Sequence, residues 1–252
     1  MQSTSVAGSA ATRPVEAVTC VPVTRPIIAA HRGASKAEKE NTLDAFRAAR
    51  RLGADMVELD VRRTADDRLV VHHDPKIGLR AIVRMRAEDL PTYVPSLADA
   101  LDACEGMQVN IEIKSDPGEP DYDTEQWAAG AVARLLAQRG DRDRMLISSF
   151  DRDTIERMRT LAPTVRTGFL CMTSVPDAST MMRSLAEAGH VAVHPYRKGV
   201  DAALIEAAHA NGLQVNVWTV DKPAEMQRLA GLGVDAIITN VPDVAVATLT
   251  GL

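Results

Sequence analysis

Acidic residues occupy alternate positions in one short stretch of the sequence. Glu58 and Asp60 fall in Met-Val-Glu-Leu-Asp-Val, which has the apolar and polar alternation of a strand. Side chains two residues apart on a strand point to the same face, so these carboxylates repel each other unless a cation or a proton lies between them. If that face looks into a barrel, where solvent screens charge poorly, the pattern predicts a metal site.

Two histidines lie near this stretch in the sequence. His31 opens a His-Arg-Gly step at the end of a short apolar run, and His73 follows Leu-Val-Val-His. Histidine gains and loses a proton near neutral pH. Two histidines beside a dicarboxylate metal site suit general acid–base catalysis on a phosphate ester.

The elements that position these residues follow from the spacing of apolar side chains. Residues 42–52 repeat apolar residues at helical intervals, which predicts a helix with Asn41 or Thr42 as its N-cap. Residues 56–61 form the next strand. Only residues 62–68 separate it from Leu-Val-Val, which is too short for a parallel crossover, so we expect a hairpin there.

A second strand, residues 109–114, has one fully polar face made of Asn110, Glu112 and Lys114. Inside an otherwise apolar α/β pattern such a face indicates a functional site, although an edge strand with a wet face would look the same. Further strands are predicted at about 145–150, 167–171, 190–195, 214–219 and 234–239, with helices between them, and a helix is predicted over residues 124–139. Eight alternating units predict a single (β/α)8 TIM barrel with a β-hairpin arm after strand 2.

Active sites of such barrels lie at the C-terminal ends of the strands. The candidate residues at or near those ends are His31, Arg32, Glu58, Asp60, Glu112 and Lys114.

Five short motifs resemble those of the glycerophosphodiester phosphodiesterase family, within the wider superfamily of phospholipase C-like phosphodiesterases. They are His-Arg-Gly, Glu-Asn-Thr, Glu-Leu-Asp-Val, the His-Asp after Leu-Val-Val, and Asn-Ile-Glu-Ile-Lys, in family order. The resemblance runs from about residue 27 to residue 242. It implies metal-dependent hydrolysis of a glycerophosphodiester to glycerol 3-phosphate and an alcohol.

The resemblance also implies roles for individual residues. Glu112 becomes a third metal carboxylate beside Glu58 and Asp60, and an all-oxygen ligand set favours Mg²⁺ or Ca²⁺. Arg32 and Lys114 become phosphate-binding residues. His31 and His73 become the general acid and the general base, in an order that the sequence leaves open. The nucleophile is either water or the glycerol 2-hydroxyl.

The sequence departs from the family in three places. The segment after strand 2, residues 75–95, is short where the family often has a small subdomain, so we expect a more open mouth or one covered by a partner chain. Lys39 stands where proline is usual, and Asn240 where aspartate is usual. Glu40 could reach the metal or only orient its neighbours.

Other residues keep two interpretations. Trp218 could fill the core, or it could wall the pocket around the substrate's alcohol, which we favour. His194, at a strand end, is more typical of a structural histidine than of a substrate contact. His72 and His209 have no predicted role. Ser149 and Asp151 could line the pocket or cap the following helix.

Composition limits the class of protein. The net charge of −5 gives no indication of nucleic-acid or anionic-membrane binding by bulk attraction. Cys20, Cys104 and Cys171 lack metal-ligand spacing and predict reduced thiols in a cytoplasmic protein. Residues 1–26 are interpreted as an N-terminal extension without a secretory signal, and residues 27–252 as the barrel domain. A small-molecule substrate is expected, without nucleic-acid binding or stable membrane insertion, and the sequence leaves self-association open.

Two other functions remain open at this point. One is a lysophospholipase D-like or sphingomyelinase D-like phosphodiesterase that uses the same site on a lipid, although no amphipathic or aromatic membrane-contact stretch is evident. The other is a barrel that binds a phosphodiester or a metal without turnover. A binding protein, however, has no need of two histidines so placed.

Overall fold

The computed structural model of the chain describes residues 25–172 and 177–251. Eight strands in these residues run parallel and pair in order, and the last pairs with the first, so the sheet closes into a barrel. A helix follows each barrel strand, which confirms the predicted (β/α)8 fold. The barrel strands are Ile27–His31 (β1), Met56–Arg63 (β2), Gln108–Ile113 (β6), Met145–Ser149 (β7), Arg166–Cys171 (β8), Ala192–Pro195 (β9), Gln214–Val217 (β10) and Ala236–Thr239 (β11); the helices are Leu43–Arg51 (α1), Leu97–Ala103 (α2), Trp127–Ala137 (α3), Arg152–Leu161 (α4), Ala178–Glu187 (α5), Ala202–Ala210 (α6), Pro223–Leu232 (α7) and Pro242–Leu249 (α8).

The remaining strands lie between β2 and α2. Leu69–Val71 (β3) runs antiparallel to β2, with Val71 opposite Val61, so the predicted hairpin arm is confirmed. Residues 75–95, called the insertion below, hold a two-stranded hairpin and two 3₁₀ turns. The hairpin strands are Lys76–Ile77 (β4) and Arg80–Ala81 (β5), and the 3₁₀ turns are Ile82–Arg84 and Ala87–Asp89.

Local capping sets where the helices start. The Thr42 side chain accepts a hydrogen bond from the Ala45 N–H, so Thr42 is the N-cap of α1. Helix α3 begins at Trp127, later than the predicted residue 124. The Asp123 carboxylate accepts the Trp127 N–H, and Gln126 has a left-handed backbone (φ 57°), so no helical turn forms before Trp127.

Strand alternation separates the core from the barrel interior. On β2, the fully buried Val57, Leu59 and Val61 pack in the aliphatic core that includes the helices. The opposite face carries Glu58 and Asp60 into the barrel, next to a small apolar cluster formed by Ala29, Met56 and Ile238. Because one face of β2 packs in the core, strand alternation turns Glu58 and Asp60 toward the barrel interior, where they are buried.

The first 24 residues, including Cys20 and nearly all of the predicted extension, lie outside the described residues. Cys104 and Cys171 are buried free thiols. Burial raises the pKa of Cys104 to about 12 and that of Cys171 to about 11, so both thiols are protonated near neutral pH.

Candidate active site

Three carboxylates meet inside the barrel where β2 and β6 lie side by side. Glu58 and Asp60 come from β2, and Glu112 is directly opposite Asp60 on β6. One oxygen from each lies within 4.8 Å of the others, and all three residues are buried. Glu58 Oε1 has no hydrogen-bond partner among the described residues. An unpaired buried oxygen in an all-oxygen cluster fits a hard divalent cation.

The charge balance of this cluster supports the same fit. Burial, and then repulsion from Asp60, raise the pKa of Glu58 to about 8. Burial raises the pKa of Glu112 to about 7, against the attraction of Lys114. Burial also opposes ionisation of Asp60, but the Lys114 and Arg32 charges hold its pKa below the ordinary value. Protons therefore occupy this cluster at neutral pH unless another positive charge replaces them.

Two basic side chains border the carboxylates. Lys114 Nζ lies 2.6 Å from Glu112 Oε1 and 3.2 Å from Asp60 Oδ1. Arg32 Nε lies 3.3 Å from Asp60 Oδ2, and the backbone N–H of Arg32 donates a hydrogen bond to Glu58 Oε2 over 2.9 Å. These contacts place both cations at the edge of the acidic cluster, where they could also reach an anionic ligand.

Glycine explains the turn that brings Arg32 to this position. Gly33 has φ 78°, and a Cβ on it would lie 2.7 Å from the carbonyl carbon of Ala45. Only glycine allows this approach of the turn to α1. Glu40 is not part of the carboxylate cluster. Its carboxylate forms an ion pair with Arg32 Nη1 at 3.1 Å. Asn41, which sequence reasoning treated only as a cap, donates its amide to Asp60 Oδ2 at 2.8 Å.

His31 is bound to a residue near the other end of the chain. Its Nδ1 lies 2.7 Å from Asn240 Oδ1, and the Asn240 amide nitrogen donates to Asp221 Oδ2 over 2.7 Å. Because Asp221 only accepts, it orients the amide so that the oxygen faces His31. His31 Nδ1 then carries the proton and Nε2, 4.0 Å from Glu58 Oε2, has the free lone pair. Burial, followed by the Arg32 charge, lowers the pKa of His31.

His73 is more open to solvent, with its side chain 33% exposed. Its Nδ1 lies 2.8 Å from Asp74 Oδ1, and burial of the ring lowers its pKa. The backbone carbonyl of His73 accepts hydrogen bonds from Arg62 Nε and Nη2. Arg62 Nη1 also donates to Glu119 and Asp121, at 2.8 and 2.7 Å.

Arg62 was missed by the sequence analysis, although its side chain is only 1% exposed. The signal was present, because Arg62 continues the alternation of Glu58 and Asp60 and so shares their face of β2. A buried arginine needs acidic or carbonyl partners. The partners of Arg62 are the His73 carbonyl in the hairpin arm and Glu119 and Asp121 in the loop after β6. No local sequence pattern relates these two segments to Arg62.

The predicted residues line one small pocket of about 70 Å³ at the C-terminal end of the barrel. Trp218 closes one side, with the Phe150 ring at 5.6 Å and the Tyr196 ring at 5.1 Å between centroids. Asp60 alone among the predicted residues does not line the pocket. A wider groove of about 610 Å³ between β3 and α3 contains none of them. The lining residues are His31, Arg32, Glu58, His73, Asn110, Glu112, Lys114, Phe150, Leu170, Trp218 and Ile238.

His194 lies beneath this pocket rather than in its wall. It is fully buried, its Nε2 lies 3.0 Å from the Asn216 amide, and its carbonyl accepts the Trp218 indole N–H at 2.8 Å. Burial lowers the pKa of His194 to about 3. A Cβ at Gly168 would come within 2.7 Å of the ring, so the glycine makes room for it. His194 supports Trp218 from below.

The other open residues lie outside the pocket. Asp151 is the N-cap of α4, and the Ser149 hydroxyl donates to the Ile113 carbonyl at 2.8 Å, so both are structural. His72 Nδ1 lies 2.9 Å from the Asp74 carbonyl oxygen. His209 pairs with Asp235 at 2.8 Å on the outer surface. Lys39 Nζ lies 3.0 Å from the centre of the Tyr93 ring, where it joins the loop after β1 to the insertion.

A parallel barrel with carboxylates, histidines and basic side chains gathered at its C-terminal mouth defines the class of TIM-barrel enzymes that act on phosphate esters. A sequence model of the glycerophosphoryl diester phosphodiesterase family matches residues 31–91 and 79–244. The chain belongs to this family.

Individual relatives agree with this assignment. A glycerophosphodiester phosphodiesterase of Caldanaerobacter subterraneus is 29% identical and covers 87% of this chain and 96% of its own length. The crystal structure of a glycerophosphodiester phosphodiesterase from Thermotoga maritima has a TM-score of 0.75 at 25% identity, covering 89% of this chain and 98% of that one. A phosphodiesterase from Oleispira antarctica, solved with the product sn-glycerol-3-phosphate, has a TM-score of 0.80 at 23% identity, with coverage of 89% and 96%.

In the part of the chain that the structure describes, every helix is too short or too polar to cross a membrane.

Proposed function

We propose that this protein hydrolyses glycerophosphodiesters to glycerol 3-phosphate and an alcohol. The observation that carries the proposal is one pocket in which two histidines, His31 and His73, face carboxylates and two cations at the mouth of the barrel. Membership of the family supports the reaction class. The product bound to the Oleispira relative supports glycerol 3-phosphate as the group to be recognised.

Glu58, Asp60 and Glu112 are the residues that would hold a divalent cation, Mg²⁺ or Ca²⁺. The unpaired Glu58 Oε1 and the raised pKa values of Glu58 and Glu112 support this role. When bound, such an ion supplies positive charge to a non-bridging phosphate oxygen. Arg32 and Lys114 bind the remaining phosphate charge from the rim of the cluster.

The histidines divide the proton transfers. His31 is the base, because its Nδ1–H bond to Asn240 leaves Nε2 free to accept the proton of the attacking hydroxyl, from water or from the glycerol 2-hydroxyl. His73 is the acid that protonates the leaving alcohol oxygen, since it stands at the more open side of the pocket. The P–O bond to the alcohol breaks as the new P–O bond forms. Attack by water gives glycerol 3-phosphate directly, whereas attack by the glycerol 2-hydroxyl gives a cyclic phosphate that water then opens. In that second step His73 takes the proton of the water, the bond from phosphorus to the 2-oxygen breaks, and His31 returns its proton to the 2-oxygen.

The surroundings of the site support further assignments. Trp218, with Phe150 beside it, forms the wall of the region that receives the alcohol.

Residues 27–252 make up the catalytic domain, and residues 1–26 are an extension to it. The free thiols Cys104 and Cys171 support work in the reducing cytoplasm. The net charge of −5 supports a small-molecule substrate rather than nucleic acid.

The test is release of glycerol 3-phosphate from a panel of water-soluble glycerophosphodiesters. The enzyme is treated with EDTA and then given Mg²⁺ or Ca²⁺, beside a Glu58→Gln variant. Release that returns with metal in the parent protein but not in the variant is the expected result. No release from any soluble diester with either metal would reject the proposal, and lyso-lipid substrates would then test the lysophospholipase D-like alternative.

A further inference from the structure

The β4–β5 hairpin of the insertion presents an exposed leucine among basic side chains. Leu79, in the turn of the hairpin, is 99% exposed. Residues 76–86 contain four basic residues and no acidic residue, in a chain whose net charge is −5. A chain with a negative net charge therefore has a local positive patch at this hairpin.

Most of this positive charge is not neutralised by the protein itself. Lys76, Arg80 and Arg84 are exposed, and within the described residues none of them forms an ion pair. The fourth basic residue, Arg86, instead pairs with Glu88 at 2.7 Å. Three exposed cations within five residues of Leu79 in the sequence are thus available to an external anionic surface.

The hairpin is firmly anchored, so Leu79 is held away from the body of the protein. Ala81, Ile82 and Met85, directly after the turn, are all buried. The Met85 carbonyl accepts the Ala65 N–H of the hairpin arm at 2.8 Å. A single exposed leucine is common on protein surfaces. An anchored leucine with three exposed cations within five residues of it in the sequence is a more specific arrangement.

We propose that this hairpin docks the protein reversibly on the surface of an anionic phospholipid bilayer. Leu79 enters the headgroup layer, and Lys76, Arg80 and Arg84 contact lipid phosphates. One leucine offers far too little apolar area for a stable protein–protein interface, which buries about 1,200–2,000 Å². β4 starts three residues after His73, so docking brings the mouth of the barrel to the bilayer.

The test is co-sedimentation of the full chain with vesicles of phosphatidylglycerol and phosphatidylcholine, compared with phosphatidylcholine alone. We expect binding to the anionic vesicles only, weakened by salt. Each basic residue near an anionic surface strengthens binding about five-fold, so Arg80→Glu should weaken it at least that much. Leu79→Ser should weaken binding also at high salt, because its contribution is apolar.

Matched controls lie at the opposite end of the barrel. Arg142 is exposed just before β7, and Leu161 is 42% exposed at the end of α4. Arg142→Glu and Leu161→Ser should leave vesicle binding unchanged, and thermal melting shows that each variant is folded. The binding assay contains no substrate, so its result is separate from that of the activity assay.

Three results would overturn the proposal. They are absence of binding to anionic vesicles, equal binding to both vesicle types, and an Arg142→Glu effect as large as that of Arg80→Glu. If the chain instead forms a dimer in sedimentation velocity that Leu79→Ser abolishes, the hairpin belongs to an interface between two copies.

Discussion

His31 and Asn240 form a hydrogen bond of 2.7 Å across 209 residues of sequence, and Asp221 orients the amide that makes it. The family usually has aspartate at the position of Asn240. In this chain the neutral amide oxygen of Asn240 faces the His31 imidazole. The negative charge lies instead on Asp221, which accepts a hydrogen bond from the Asn240 amide. The bond still selects the form of His31 that has its proton on Nδ1.

Asn240→Leu should therefore lower kcat by about 10- to 100-fold, because the imidazole loses the partner that sets its orientation and tautomer. The exchange variant Asn240→Asp with Asp221→Asn keeps an acceptor and should retain most activity. A carboxylate beside His31 favours the imidazolium and raises its pKa, so the acid limb of kcat/KM should move to higher pH. Equal activity of the parent protein and Asn240→Leu would contradict the role of this bond.

Removing either proposed proton-transfer residue should be more damaging. We expect His31→Ala and His73→Ala each to lower kcat for glycerol 3-phosphate release by about 10²–10⁴-fold. His72→Ala is the matched control and should have little effect, since the ring of His72 bonds to the Asp74 carbonyl and does not line the pocket. If both His31→Ala and His73→Ala remained nearly fully active, the acid–base mechanism would be wrong.

Metal binding should release protons at neutral pH. The pKa of Glu58 is about 8 and that of Glu112 about 7 without metal, so a cation must displace protons that these carboxylates hold. The affinity for Mg²⁺ or Ca²⁺ should consequently rise as the pH increases from 6 to 8. Calorimetric titration in buffers of different ionisation enthalpy measures the number of protons released. Glu58→Gln should bind metal more weakly and release fewer protons.

Arg62 should be important for stability and for the placement of His73. Arg62→Met leaves Glu119 and Asp121 without their buried counter-charge, which should cost about 3–5 kcal/mol of the free energy of unfolding. It also frees the His73 carbonyl, so kcat should fall while KM changes little. The neighbouring Arg63 makes partly exposed ion pairs with Asp67 and Asp123, and Arg63→Met should cost about 1 kcal/mol or less.

Adding Glu119→Gln and Asp121→Asn to Arg62→Met distinguishes the two effects of this arginine. The added changes remove the unpaired charges and should restore part of the melting temperature. They do not replace the donors to His73, so kcat should stay low. Recovery of kcat together with stability would show that Arg62 does not position His73.

His194 should make the protein sensitive to acid. Its pKa is about 3 in the folded protein, against an ordinary value near 6.5, so between these values only the unfolded chain binds the proton. Stability from this residue is complete above about pH 6.5 and decreases as the pH falls. The loss should reach about 2 kcal/mol at pH 5. His194→Gln should reduce the difference in melting temperature between pH 7 and pH 5, and an unchanged difference would contradict this role.

Much of the fold could be predicted because the signals are local. The alternation in residues 56–61 determines which side chains of β2 face the barrel, and therefore that Glu58 and Asp60 share a face. Eight strand-length segments separated by helical spacing determine the class of fold. The length of residues 62–68 is sufficient to specify the antiparallel hairpin arm. The loop before α3 was harder to interpret, since the Trp127 N–H bonds to Asp123 and the helix begins at Trp127 rather than at residue 124.

The contacts that set the properties of the site were decided only by tertiary structure. Closure of the barrel pairs β1 with both β2 and β11, which brings His31 to Glu58 on one side and to Asn240 on the other. Arg62 finds Glu119 and Asp121 nearly sixty residues away, through a loop without regular structure. Local sequence determines which way a side chain points on its own strand. Its partners depend on which distant segments the closed barrel brings beside it, and burial at that point then sets its pKa.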